Sequence, residues 1–385
     1  MIDVLHVCFG GLGGHMVVVN ALAKEMARIG LATGVMAISP SNSLLSDSES
    51  WPDVSVLEPV ALTGRGDMNS MARVFGLGRR MKARVVLVHT HRHATPLALG
   101  RLSSGQPLNM VSVEHHSLGL RSTIDNVNSF SALLWSKASV FLTADYLQGY
   151  PLKSMALPGL KTTAVIANGI DLAPFLSRQR CVQLSGTVNT GPILGMATRL
   201  VPSKDIETIL EVIAMARNAH EPRVPHLRLA GDGPERQRLE ARVSELGIGE
   251  FVTFLGQLRE DQLPEFFSTL DIYVLSTRGE TLNTSLIQAA ASRVPIVASR
   301  VSGITNVFTD GVTAILFEPS SPSSLASAIQ MASETVVVER IVEAAFELAQ
   351  LNFTSEMMTR GYLDLLTRID PAGPWLAAQM RMEGG

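Results

Sequence analysis

ILGMATRLVPSKDIETILEVIAMARNA, residues 193–219, holds an apolar run, a polar turn and a helical repeat in one line. The run ILGMATRL has the content of a buried strand. KDIETILEVIAMARNA brings apolar residues back at three- and four-residue spacing, as one face of a helix does. The same succession opens the chain. There IDVLHVCF (2–9) reads as a strand, GGLGG (10–14) as a turn, and HMVVVNALAKEMARIG (15–30) as a helix closed by Gly30. A pattern that runs and then starts again predicts two open α/β units in one chain.

Between the two starts, LATGVMAIS (31–39), RVVLVHTH (84–91), NMVSVEHH (109–116), SVFLTAD (139–145) and TAVIANG (163–169) read as strands. Helical stretches separate several of them, as in a parallel sheet with crossover helices. Periodicity is lost around residues 172–192, which read as a linker. After the restart come HLRLAGDG (226–233), PERQRLEARVSELG (234–247) with proline in its first turn, EFVTFLG (250–256), DQLPEFFSTL (261–270), DIYVLST (271–277), TSLIQAAAS (284–292) and VPIVAS (294–299). The expected division is a first Rossmann-like unit at 1–175, a linker at 176–192, a second unit at 193–352, and a helical segment at 353–385 packing back on the first. Open α/β units place ligands at the carboxyl ends of their strands, here in the cleft expected between the two.

The bulk numbers agree with a folded, two-part chain. Of 385 residues, 46% are hydrophobic and 17% charged, enough apolar content for a sizeable core. The net charge of −3 is uneven: residues 1–180 carry 16 Lys/Arg against 11 Asp/Glu, and residues 181–385 carry 16 against 24. That asymmetry is too small for nucleic-acid binding, and aromatics at 5% are too few for a base-stacking surface. Cys8 and Cys181 give no disulfide framework and no metal spacing; Cys8, in an apolar strand, reads as an inert buried thiol. The start has no basic region of a signal peptide, and no apolar run reaches the ~18 residues of a membrane span. A cytoplasmic protein is expected.

GGLGG between a strand and a helix puts backbone N–H groups where an anion could sit, or is simply a tight turn. It fails the Gly-x-Gly-x-x-Gly dinucleotide fingerprint at Met16, and residues 31–46 contain no acid to hold a ribose. There is no Gly-x-x-x-x-Gly-Lys-Ser/Thr loop and no Asp-x-Asp pair to chelate a metal–diphosphate. In ATRLVPSKD (197–205), Arg199 and Lys204 flank a strand end and a helix start. They are either solvated surface charge or two cations able to neutralise a diphosphate.

Taken together, these stretches resemble the retaining, GT-B-fold nucleotide-sugar glycosyltransferases (glycosyltransferase family 4). The resemblance runs through GGLGG, VHTH (88–91), VEHH (113–116), VIANGIDLAPF (165–175), ATRLVPSKD, LAGDGPERQRLE (229–240), VTFLGQL (252–258), DIYVLSTRGETLNTSLIQAAA (271–291) and GVTAILFEP (311–319). It implies two Rossmann-like domains facing across a cleft. It also implies transfer of a hexose from a nucleotide diphosphate-sugar to a glycan, lipid-linked or small-molecule acceptor, with retention and without a metal or other cofactor. By the resemblance Gly13 and Gly14 face the donor, Arg199 and Lys204 grip its diphosphate, and Glu280 holds hydroxyls of the transferred sugar. The N–H groups of Leu282, Asn283 and Thr284 add positive potential at a helix start. Gln288 holds the ribose, and Gly256 and Gln257 lie against the base. His115 stands beside the reacting carbon, with His116 as a rival. His89 reads as scaffold, with His91 and Arg92 nearer the cleft, and Asn168-Gly169 as a turn with special dihedrals.

The sequence departs from the family at Gln288, where an acid is usual, at Thr281 in place of glycine, and at Asn306 in place of an acid. An amide accepts one ribose hydroxyl and donates to the other, losing charge assistance, so donor binding weakens while the chemistry stays intact. The alternative from another class is a non-catalytic nucleotide-sugar-binding or partner subunit. A sugar-phosphate-producing relative of the same fold is a third reading. RVFGLGRRMKAR (73–84) holds five cations and no acid; it reads as a solvated helix face or as a basic surface for anionic lipid.

Overall fold

The computed structural model describes residues 2–9, 14–39, 55–61, 68–115, 121–176 and 191–383. The chain separates into two compact units, Met1–Ile170 with Ser355–Gly385, and Asp171–Thr354. Residues 177–190, the middle of the expected linker, lie outside the described residues, as do Gly13 and His116.

In the first unit the described strands are β1 (Ile2–Phe9), β2 (Thr33–Ser39), β3 (Ser55–Ala61), β4 (Ala83–Val88), β5 (Met110–Glu114), β6 (Ala138–Phe141) and β7 (Thr163–Val165). They pair in parallel in the order β3-β2-β1-β4-β5-β6-β7. The second unit has β8 (Ile193–Ala197), β9 (His226–Ala230), β10 (Val252–Gly256), β11 (Ile272–Leu275), β12 (Ile296–Ser299) and β13 (Ile315–Phe317). Their parallel order is β10-β9-β8-β11-β12-β13. Both are doubly wound sheets, and this is the GT-B class of fold. In each, the order reverses beside the unit's first strand, at β1/β4 and at β8/β11. The crevice outside the carboxyl ends at such a point is where these sheets take ligands.

The strands form because they are apolar on both faces and covered on both. β5, β6, β11 and β12 are buried along their whole length. β3 is absent from the expected set, and Pro59 explains why. Proline donates no ladder hydrogen bond, so it breaks the apolar run and is tolerated only at an edge. β3 is that edge, and its register with β2 skips between Met36 and Ile38, opposite Pro59.

Two glycine positions answer questions the sequence raises. Gly30 has φ +82°, the left-handed residue that closes the helix Gly14–Arg28. Gly78 lies inside the helix Met68–Arg80, where glycine costs about 1 kcal/mol relative to alanine. A Cβ at Gly78 would stand 2.5 Å from the Leu97 carbonyl, and one at Gly100 2.2 Å from that of Phe75, so this helix and Ala94–Ser103 cross at bare backbone.

One expectation needs correction. Neither Asn168 nor Gly169 takes a positive φ. The constraint there is closeness instead: the Gly169 N–H reaches Met358 Sδ at 3.3 Å. Met358 belongs to Ser355–Ile369, which with Trp375–Glu383 returns to the first unit. Arg84 pairs with Asp370 at 2.6 Å, and Arg381 donates to the Ile29 carbonyl.

Candidate active site

In the second unit the loops after β8 and β11 are tied together by backbone atoms. The Arg278 N–H donates to the Ser203 carbonyl at 2.9 Å, the Thr277 hydroxyl to the same carbonyl at 3.1 Å, and the Ser276 hydroxyl to that of Lys204 at 3.1 Å. The turn Pro202–Lys204 ends at Asp205, which has φ +46°, a conformation aspartate tolerates better than most side chains. The Asp205 carboxylate is buried and accepts from Thr208, Ser320 and Arg278 at 2.9, 2.8 and 2.7 Å.

This framework brings Lys204 to Glu280. Their Nζ and Oε2 are 2.5 Å apart, with side chains 15% and 16% exposed. Asn283 Nδ2 also donates to Oε2 at 2.7 Å, and the Thr281 N–H to Oε1 at 3.2 Å. Burial pushes the Glu280 carboxyl up, but the Lys204 ammonium and these donors outweigh it and hold the group below its ordinary value.

The helix Thr284–Ala291 starts beside this pair. Asn283 caps it, its Oδ1 accepting from the N–H groups of Ser285 and Leu286 at 2.9 and 3.3 Å. The N–H groups of Leu282, Asn283 and Thr284 have no hydrogen-bond partner among the described residues. A cation, a carboxylate and three open N–H groups therefore share one mouth of the sheet. Such a helix start attracts an anion.

The other residues expected in the second unit are placed more loosely. Arg199, just past β8, is exposed and makes no ion pair among the described residues. Gln288 lies in the second turn of Thr284–Ala291, is only 3% exposed, and its carboxamide has no hydrogen bond to a described residue. Gly256 has φ +68° and accepts from the Gly231 N–H at 2.6 Å; Gln257 is exposed. Gly231 itself, in LAGDG, allows close approach of two loops: a Cβ there would meet the Thr198 carbonyl at 1.8 Å.

The first unit holds the remaining expected residues. Gly14 is the exposed first residue of Gly14–Arg28. His115 follows β5, and its Nε2 lies 3.1 Å from Nδ1 of His89, the residue read as scaffold. His91, read as nearer the cleft, is buried, with Nδ1 3.0 Å from Ser129 and Nε2 2.9 Å from Ser112. The preceding Glu114 is fully buried and accepts from Arg121 at 2.9 Å and from the Tyr150 hydroxyl. Burial raises its pKa, but His91, Tyr150 and Arg121 hold the carboxyl below its ordinary range. The sequence marked neither the capping side chain of Asn283 nor the Glu114 network. The spacing Glu280-x-x-Asn283 was a usable signal for the former. No metal-binding group of three His, Cys, Asp or Glu side chains occurs among the described residues.

Residues 181–345 match the family described as Glycosyl transferases group 1. Over 178 residues the chain is 28% identical to the lipopolysaccharide core biosynthesis glycosyltransferase LpsE of Rhizobium meliloti, covering 46% of this chain and 49% of that one. It thus spans about half the length of this relative. It is 24% identical over 354 residues to a Mycobacterium tuberculosis glycogen synthase, covering 84% and 82%. The fold is shared with the crystal structure of Anabaena HepE in complex with UDP and glucose, at a TM-score of 0.79 and 18% identity, covering 95% and 100%.

Proposed function

We propose that this GT-B-fold chain, with its glycosyl transferases group 1 segment, moves a hexose from a nucleotide diphosphate-sugar to an acceptor hydroxyl. The observation that carries the reading is the Lys204–Glu280–Asn283 cluster at the open helix start of Leu282–Thr284. Lys204 and the N–H groups suit the diphosphate, whose negative charge grows as the bond to the sugar carbon breaks. Glu280, kept ionised, suits sugar hydroxyls as an acceptor-only group. Arg199 would close on the diphosphate, Gln288 on the ribose, and Gly256 and Gln257 on the base. Retention and independence of metal belong to the proposal and rest on the family resemblance. The acceptor in this reading is a glycan, a lipid-linked molecule or a small molecule.

The test is a thermal-shift screen of nucleoside diphosphates and their sugars, followed by transfer assays with and without EDTA. Uridine nucleotides come first, because HepE is described with UDP and UDP-glucose. Ligand at about 100 times its Kd stabilises the fold by ~2.7 kcal/mol. Binding with no turnover of any donor would favour the non-catalytic subunit. Loss of activity on chelation would remove the metal-free part of the proposal.

Gln288 gives a paired prediction. Gln288→Glu supplies two charge-assisted acceptors to a bound ribose and is expected to tighten donor binding a few-fold, ~1 kcal/mol. No described residue hydrogen-bonds the Gln288 carboxamide, so the gain should show only with ligand present. Glu280→Gln is expected to lower turnover by at least ~10-fold, because it also removes the partner of Lys204. Calorimetry and initial rates on both variants check this. Weaker donor binding in Gln288→Glu would take the ribose away from this residue.

The proposal extends to an anionic bilayer as a peripheral partner. Arg73, Arg79 and Arg80 line a groove with Ala72, Gly76 and Ser104. Leu99 and Leu102 are exposed on Ala94–Ser103, which packs against the basic helix, and Ile124 and Val127 on the next helix, Thr123–Trp135. No described helix is long and apolar enough to cross a membrane. Affinity for phosphatidylglycerol vesicles, read by co-sedimentation, is expected to fall about five-fold for each of Arg79→Gln and Arg80→Gln, from ~1 kcal/mol per cation. Equal binding to phosphatidylcholine vesicles would remove the charge argument.

A further inference from the structure

Four histidines of the first unit meet at its β1/β4 turning point, three of them in a line. His6 lies inside β1, fully buried, with Nδ1 3.3 Å from Nε2 of His89. His89 follows β4, its N–H bonded to the Val7 carbonyl at 2.8 Å, and its Nδ1 is 3.1 Å from Nε2 of His115. The rings are stacked at 13° and 28°, with centroids 5.6 and 5.4 Å apart. His15, near the start of Gly14–Arg28, stands edge-on to His115 at 4.7 Å and to His89 at 5.8 Å.

Each N···N contact needs one donor and one acceptor, and a neutral imidazole carries one proton. With the two inner rings neutral, the protons of His6 and His89 are therefore both on Nδ1, leaving His115 Nε2 as acceptor, or both on Nε2, with His115 Nε2 as donor. Burial keeps the two inner rings neutral: it lowers His6 to about 3, and lowers His89 well below its usual value, helped by the neighbouring histidines. His6 decides between the two states. Its Nε2 is buried with no hydrogen-bond partner. With all protons on Nε2 that atom would be a buried N–H without an acceptor; with all on Nδ1 it is a bare lone pair. An orphaned buried N–H is the rarer defect.

We infer that His6 and His89 are positioning residues that lock His115 as a neutral ring protonated on Nδ1, its Nε2 lone pair taken up by His89. His115 then acts as a hydrogen-bond donor to a sugar oxygen and not as a base through Nε2. This use of the ring rests on the reading of His115 as an active-site residue; the lock itself does not.

Long-range 1H–15N spectra of the histidines in the ligand-free, 15N-labelled chain read the tautomers directly, with His6→Gln and His89→Phe giving the assignments. His89 and His115 are expected as Nδ1–H forms, the less common state of free histidine. An Nε2–H form of His115, or averaging between the two, overturns the lock whether or not any sugar is transferred. In transfer assays His89→Phe is expected to lower kcat about tenfold, the lower end for losing the partner that orients a functional histidine. Donor KM should be unchanged, and His89→Asn, which keeps a donor near the Nδ1 position, should recover much of the rate. Unchanged kcat in a folded His89→Phe overturns the positioning role. Absence of turnover in the unsubstituted chain overturns the transferase reading and leaves the spectrum to decide the lock.

Discussion

Lys204→Ala is expected to lower turnover at least ~10²-fold, the scale for losing one group that stabilises developing charge. The ammonium lies 2.5 Å from Glu280, so the substitution also strips that carboxylate of its partner. A fully buried pair broken this way costs roughly 3–5 kcal/mol; with both side chains about one-sixth exposed, a loss of about 2 kcal/mol is expected. The pH dependence has a definite direction. The folded Glu280 carboxyl lies below its ordinary value of 4.5, so its stabilisation is complete above that value and is lost as pH falls through the lower one. Without Lys204 the burial cost is opposed only by the Asn283 and Thr281 donors, and the carboxyl moves up. The variant's deficit should therefore be largest at neutral pH and shrink below about pH 4. Rates at saturating donor and urea unfolding at both pH values measure the two effects. Full turnover would show that the diphosphate is held elsewhere.

Gly303→Ala should damage the same site without touching a functional side chain. Gly303 lies in the short helix Ser302–Thr305. A Cβ there would stand 2.0 Å from the Glu280 carbonyl oxygen and 2.8 Å from the Thr281 nitrogen. Both obstacles are backbone, so the loop carrying Glu280 must move. Overpacking of this kind costs about 2–3 kcal/mol, which lowers Tm by roughly 5–10 °C in a domain of this size. A displacement of about 1 Å at Glu280 is enough for a ~10²-fold loss in rate. Gly249→Ala is the control, since nothing lies within 4 Å of a Cβ there. Wild-type Tm and rate in Gly303→Ala would mean that this loop is more yielding than its contacts imply.

The parts of the fold legible in the sequence are those written locally. Apolar strands, helical periodicity and the turn at Gly30 each depend on a few consecutive residues, and they stand where the pattern put them. The exceptions are the strands expected at 84–91 and 139–145, which end at Val88 and Phe141, where helical turns take over at His91 and Ala144. β3 was hidden because Pro59 interrupts a strand that only an edge can tolerate. The reason for glycine at position 78, the Phe75 and Leu97 carbonyls facing Gly100 and Gly78, lies across a helix crossing and is not written in the neighbouring residues. The site divides the same way. Glu280 and Asn283 are three residues apart, so their meeting at a helix start was readable. Lys204 reaches Glu280 across 76 positions, and the family resemblance set both around one donor without pairing them. The histidine line was missed for the same reason. His6, His89 and His115 come from three strands made neighbours by the crossovers, and each alone looks like an isolated polar residue beside an apolar run.

The return of Ser355–Ile369 and Trp375–Glu383 to the first unit fixes an order of events during synthesis. The seven described strands of that unit are all synthesised before residue 170, yet the surfaces meant for Met358, Tyr362, Leu363, Leu366 and Trp375 stay uncovered while the 184 residues of Asp171–Thr354 are made. The second unit has no such debt, for its sheet and helices lie within one uninterrupted stretch, Asp171–Thr354. The later-born unit is therefore the first able to finish, and the earlier one waits, partly open, for Ser355–Ile369 and Trp375–Glu383.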